Sequence, residues 1–163
     1  MQLNTGDRAL NAVSDVTGDA DPTDLVVPIG AADANNNGRT QVMYAFSPVE
    51  GFSAMGIYEG NGSADGPYQH CGFRPRWILL KSSTDTTARN WYIYDTVRDT
   101  DGNETDQTIL ANLDVAEGAT SNDLNVLANG FKITGTGTSS NAQSNYYIWM
   151  AFAEHPFKYA RAY

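Results

Sequence analysis

The chain has 163 residues, only 18% of them charged, and a formal net charge of -9. That length suits one compact domain, or one and a half repeat units, and is enough to bury a core. The negative balance argues against nucleic acid as a partner, because phosphate binding needs clustered Lys and Arg, and against unaided attachment to an anionic membrane surface.

Gly, Asn, Ser and Thr are plentiful and Tyr outnumbers Phe, a mixture that suits an all-β protein with many turns. Cys71 is the only cysteine, so no intrachain disulfide can form. Beside aromatic residues it reads as a small buried apolar side chain rather than a reactive thiol. No run approaches the ~18 apolar residues of a membrane span. MQLNTGDRAL has neither the basic start nor the apolar run of a signal peptide.

In chain order, residues 1–24 are polar, with a short strand expected near Leu3 and an acidic cluster at Asp19, Asp21 and Asp24 that reads as an exposed charge run. Leu25–Ile29 reads as a strand, at an edge or strand end because Pro28 lacks a ladder donor. Asn35–Gly38 is a turn, since Asn and Gly tolerate positive φ, and Thr40–Phe46 is the next strand. Phe52–Tyr58 follows as a strand, then the small-residue loop Glu59–Pro67. Trp77–Lys81 reads as a buried strand whose hairpin partner is Trp91–Tyr94. Thr108–Leu113 is a short strand, Asp114–Asn122 a polar loop with a marginal helical turn nearby, and Leu124–Leu127 a brief pairing segment. Ala128–Gly130 turns into the strand Phe131–Thr134. Tyr146–Glu154 is apolar on both faces, as a fully buried strand would be.

Ala45-Phe46 recurs as Ala151-Phe152, 106 positions on, and the same offset sets Asn35 on Asn141, Leu25 on Phe131 and Val27 on Ile133. We read this as an internal repeat in which residues 1–51 correspond to the second half of a complete unit at 52–163, the two packed together or merged into one domain over 1–163. On this reading the chain is the distal piece of a longer protein. Short strands with turn signals every ~8–12 residues predict an antiparallel β-sandwich of jelly-roll-like form.

Several segments together carry a family resemblance. They are Met43-Tyr44-Ala45-Phe46, Glu50-Gly51-Phe52, Gly56 to Ser63 with Asp65-Gly66-Pro67, Gly72 to Lys81, Asn90 to Asp95 with Arg98-Asp99, and Met150-Ala151-Phe152-Ala153-Glu154-His155-Pro156-Phe157-Lys158. The chain resembles a domain of marine phage virion proteins, usually described as tail-fibre or other structural proteins. The resemblance implies a β-rich, virion-associated module, often in tandem copies and in trimeric fibres, and it transfers no catalytic residues.

For chemistry, Asp99, Asp101, Asn103 and Asp106 place oxygen donors around a Gly-permitted bend, which could serve Ca²⁺; ordinary turn chemistry explains the same residues. His70 and His155 with Cys71 fall short of a zinc set. No nucleophile motif is present, and no carboxylate pair stands out for glycoside cleavage. The aromatic residues are the stronger lead: Tyr68, Tyr92 and Tyr94 are candidates to stack on a receptor, because an exposed Tyr face suits sugar rings or a subunit interface.

The expectation is therefore a non-enzymatic virion protein without a resident cofactor, a tail-fibre module binding a glycan or protein receptor on the bacterial surface by polyvalent attachment. Its partners would be that receptor, other virion proteins and further copies of itself, with no nucleic acid and no membrane insertion. A head-decoration or fibre-shaft protein without receptor binding is the second reading, and a polysaccharide-degrading enzyme the third.

Overall fold

In the computed structural model, which describes residues 23–29, 43–85, 87, 89–99 and 103–156, the aromatic run near the C-terminus forms β8, Tyr146–Ala153. Its aromatic and branched residues suit a pleated strand packed on both sides. Two strands flank it in antiparallel register, β1 (Ser53–Glu59) and β3 (Pro75–Ser82). The remaining strands are β2 (Tyr68–His70), β4 (Tyr92–Asp95), β5 (Glu104–Leu110), β6 (Gly118–Leu127) and β7 (Gly130–Ile133). All eight belong to one antiparallel sheet of order β1-β8-β3-β4-β5-β6-β7-β2, so the protein is all-β. Of the described residues, 23–29 and 43–46 belong to one compact unit and 47–156 to the other. The sheet lies wholly in the second.

One face of the sheet encloses the core. β8 contributes Tyr147, Trp149, Ala151 and Ala153, while β6 and β7 contribute Leu124, Val126, Phe131 and Ile133. Tyr58 stacks on Tyr147 at 5.1 Å, and Phe131 meets Trp149 edge-on at 5.3 Å. Such aromatic pairs add about 0.5–1.5 kcal/mol each to their area burial. Gly56 lies opposite Trp149 because a Cβ there would stand 2.7 Å from the indole.

A single helical turn, α1 (Thr138–Asn141), is held from inside by three core tyrosines. The Tyr58 hydroxyl donates to Ser140 O at 2.6 Å, Tyr147 to Thr138 O at 2.7 Å, and Tyr92 to Ser139 Oγ at 2.8 Å. Burial raises the Tyr58 phenol well above its ordinary value of 10.0, and raises Tyr147 in the same direction. Unfolding therefore releases these protons more easily than the folded state does, so stability is fully present below pH 10 and falls as pH rises beyond it. Urea midpoints measured upward from pH 9 should decline steeply above about pH 10; a midpoint flat to pH 11.5 would contradict the assignment.

Several sequence expectations need correction. Leu25–Ile29 is not a strand: the Thr23 hydroxyl accepts amides from Leu25 and Val26, a local turn that competes with any ladder. Met43–Phe46 has no ladder partner among the described residues, and Met43, Tyr44 and Phe46 are exposed. β5 begins at Glu104 rather than Thr108, and β6 occupies most of the expected loop 114–122 and its marginal helical turn. β8 is buried on one face only; Ile148, Met150 and Phe152 on the other are half-buried. The expected strand at Leu3, the turn Asn35–Gly38, and Asp19 and Asp21 of the acidic cluster lie outside the described residues.

Candidate functional site

β2 is only three residues long, yet it places the one exposed aromatic among the three candidate tyrosines. Its pleat sends Gln69 inward, where Gln69 Oε1 accepts the Trp149 indole N–H at 3.1 Å. Tyr68 and His70 therefore point out, and Tyr68 is 43% exposed. The Tyr68 hydroxyl donates to Asn129 Oδ1 at 2.8 Å and lies 3.4 Å from His70 Nδ1. Cys71 and Gly72 both donate their amides to Asn129 O, and Gly72 takes φ +79, so the chain leaves β2 in a fixed direction.

Cross-strand register continues the outer row. Tyr68 faces Lys132, Lys132 faces Asn125, and Asn125 faces Glu104. Lys132 also pairs with Asp65, whose carboxyl its hydrogen bond holds below the usual carboxylate value. The row therefore offers a tyrosine ring, amide groups, a neutralised ion pair and, at its far end, the Glu104 carboxylate, a set suited to hydroxyl-rich ligands.

The row rests on a rigid end. Asn141 is fully buried and donates through Nδ2 to Ser63 O at 2.7 Å, Gly135 O at 3.1 Å and Asn61 Oδ1 at 3.1 Å. Its Oδ1 accepts the Asn61 amide at 2.9 Å. One side chain thus ties the loop 60–67 before β2 to the segment around α1. Thr134 Oγ1, nearby in sequence, is buried without a hydrogen-bond partner.

The other candidates fall elsewhere. Tyr92 and Tyr94 belong to the core, 8% and 1% exposed, and cannot stack on a receptor in this state. Two positions apart on β4, they share a face, and that face turns inward. Asp99 is buried, and its Oδ2 accepts the amides of Asp106 at 2.8 Å and Gln107 at 3.0 Å. It thereby satisfies the donors at the β5 bulge between Thr105 and Gln107. Asn103 Oδ1 accepts from Arg74 Nη1 at 3.1 Å, and Asp106 Oδ1 accepts from Gln107 Nε2 at 3.0 Å; Asp101 lies outside the described residues. Among the described residues no three His, Cys, Asp or Glu side chains are gathered in a way that could hold a metal ion. Cys71 is partly buried, and burial pushes its thiol up to about 12, which leaves little thiolate at neutral pH.

A family model described as a domain of unknown function, DUF7483, matches residues 1–156. The chain belongs to that family. The match spans both the segment read as a partial repeat and the complete sheet, so this DUF7483 chain is covered through the end of β8 and beyond. No curated protein and no solved structure matches it.

Sequence reasoning missed β2, Asn129 and Lys132 as a group. Tyr68-Gln69-His70 is too short for a periodic signal, and only the register with β7 joins it to Asn129 and Lys132.

Proposed function

We propose that this chain is a non-enzymatic virion module that contacts a receptor on the bacterial surface through the outer row of β2, β7 and β6. The observation that carries this reading is the exposed Tyr68 ring, flanked by His70, Asn129 and the Lys132–Asp65 pair and backed by the core through Gln69 and Trp149. A ring exposed on a rigid backing stacks on a ligand at little ordering cost. A net charge of -9 makes neutral, hydroxyl-rich glycan a better target than an anionic polymer. The virion setting rests on the family resemblance in Tyr44–Asp99 and Asn129–Tyr159, and polyvalent copies would raise a weak single contact to useful avidity.

The test is binding of the purified chain to bacterial cells and to immobilised neutral glycans. Tyr68→Ala should weaken binding at least ~10-fold, the scale of one lost aromatic contact, with the melting temperature unchanged. Binding by Tyr68→Ala equal to wild type would refute the site, and no binding by wild type would refute the receptor reading.

The second reading, a head-decoration or fibre-shaft protein that binds only other virion proteins, is favoured by a different observation. Tyr92 and Tyr94, like Trp91 and Trp149, serve the interior rather than a recognition patch.

A further inference from the structure

The outer row that begins at Tyr68 does not stop at β6. Its last member, Glu104, opens β5 and is exposed. The ion pairs among the described residues involve Arg74, Arg76, Arg89, Arg98 and Lys132, and none of them reaches Glu104. The charge of Lys132 is answered by Asp65. From end to end the row is thus an exposed ring, two half-buried polar side chains, Lys132 and Asn125, and one uncompensated carboxylate.

Both ends are held firmly. Tyr68 is backed through Gln69 and Trp149 and tied to Asn129. At the far end Asn103, next to Glu104, is fixed twice: its carbonyl accepts the Val126 amide at 2.7 Å, and its Oδ1 accepts Arg74 Nη1 at 3.1 Å. The same Nη1 donates to Val126 O at 3.0 Å, and Arg74 Nε pairs with Glu154 at 3.1 Å. The separation of ring and carboxylate is therefore set by the fold. They stand on strands three steps apart in the order β5-β6-β7-β2, which at ~4.8 Å per step is about 14 Å.

We propose that this row binds one linear, uncharged oligosaccharide laid across β2, β7, β6 and β5, its first ring stacked on Tyr68 and the hydroxyls of its last ring donating to Glu104. This rests on the receptor reading and adds to it a length, a direction and a second anchoring contact. A sugar ring is about as wide as one strand step, ~4.8 Å, so the row accommodates about three linked rings. An ionised carboxylate only accepts hydrogen bonds, so the group it meets must donate, as a sugar hydroxyl does. With Lys132 already neutralised, an anionic sugar would meet Glu104 with no cation to offset the repulsion. Two rigid anchors at a fixed spacing favour a ligand that spans both, because little order is lost on binding. A peptide partner would instead pair its backbone along the β2 edge, where Glu104 plays no part.

Competition against cell binding tests it. The probes are neutral oligosaccharides released by mild acid from the cells that wild type binds, separated by size. Fragments of about three or more sugar units should compete at least ~10-fold better than single sugars for wild type, the scale of one added hydrogen bond to a charged acceptor. Glu104→Ala, at an exposed position, should lose that gain and keep its melting temperature. Asp114→Asn removes the same charge from the exposed loop after β5 and should keep the gain. Wild type that binds all sizes alike overturns the inference, as does a Glu104→Ala chain that retains the gain or an Asp114→Asn chain that loses it. In each of these cases cell binding that still depends on Tyr68 leaves the receptor reading standing, whereas wild type that binds no cells overturns both.

Discussion

Replacing Asn141 with alanine is expected to destabilise the protein by about 3–5 kcal/mol, more than a typical point change. The side chain is completely buried and joins segments about 80 positions apart, reaching Asn61 and Ser63 on one side and Gly135 on the other. Truncation leaves the Ser63 and Gly135 carbonyls and the Asn61 amide without their partner, and each such loss costs roughly 1–3 kcal/mol where water cannot enter. Gly66 packs against the same site, where a Cβ would stand 3.0 Å from Asn141 Nδ2 and closer still to Ile133 O. Asn141→Asp separates the two halves of the argument. It keeps an acceptor for the Asn61 amide but loses the donors and sets a carboxylate against three carbonyl-type oxygens. Urea denaturation should rank wild type above both variants by several kcal/mol, with the aspartate no better than the alanine near neutral pH. A loss under ~1 kcal/mol for Asn141→Ala would show that water replaces the clamp.

What the sequence discloses follows from how local each signal is. β3, β4 and β8 are runs of aromatic and branched residues, β1 carries Met55, Ile57 and Tyr58 between small residues, and the positions of all four were legible to within a residue or two. β5 and β6 were displaced because Glu104–Gln107 is polar and Gly118 and Ala119 are small, so neither stretch announces a strand, and their pairing comes from neighbours and from the Asp99 carboxylate at the bulge. α1 is the extreme case. Thr138-Ser139-Ser140-Asn141 has no helical period, and three tyrosines from β1, β4 and β8 hold it in place. Tyr92 and Tyr94 show the limit of a two-residue period. It joins them on one face opposite Ile93, and hydrophobicity alone would turn Ile93 inward. The phenols go inside instead, because Tyr92 finds a hydroxyl partner at Ser139 there. The 106-residue offset singled out Asn141 beside Asn35, yet its role as a clamp needed the fold.

The same dependence on register makes Gly130 the most direct test of how the fold builds the outer row proposed to meet a receptor. It sits opposite His70 in the β2–β7 pair, where a Cβ would fall on the Gln69 carbonyl oxygen and stand 3.0 Å from the Tyr68 hydroxyl. The obstacle is backbone, so no side-chain rotation relieves it. Gly130→Ala should therefore push β2 away from β7 at a cost of about 2–3 kcal/mol, the scale of an overpacked site. β2 has only three residues and lies at the end of the strand order, so it yields before β7, which β6 holds on its other side. Displacing it breaks the Gln69–Trp149 hydrogen bond and removes Tyr68 from Asn129. Hydrogen exchange should quicken across residues 68–72 while β8 amides keep their protection, and binding to cells should fall with it. Gly118→Ala supplies the control, since a Cβ there meets nothing within 4 Å and should leave both measurements unchanged. If Gly130→Ala left exchange in β2 at the wild-type rate while binding persisted, the outer row would not depend on the β2–β7 register, and Tyr68 would no longer mark the recognition surface.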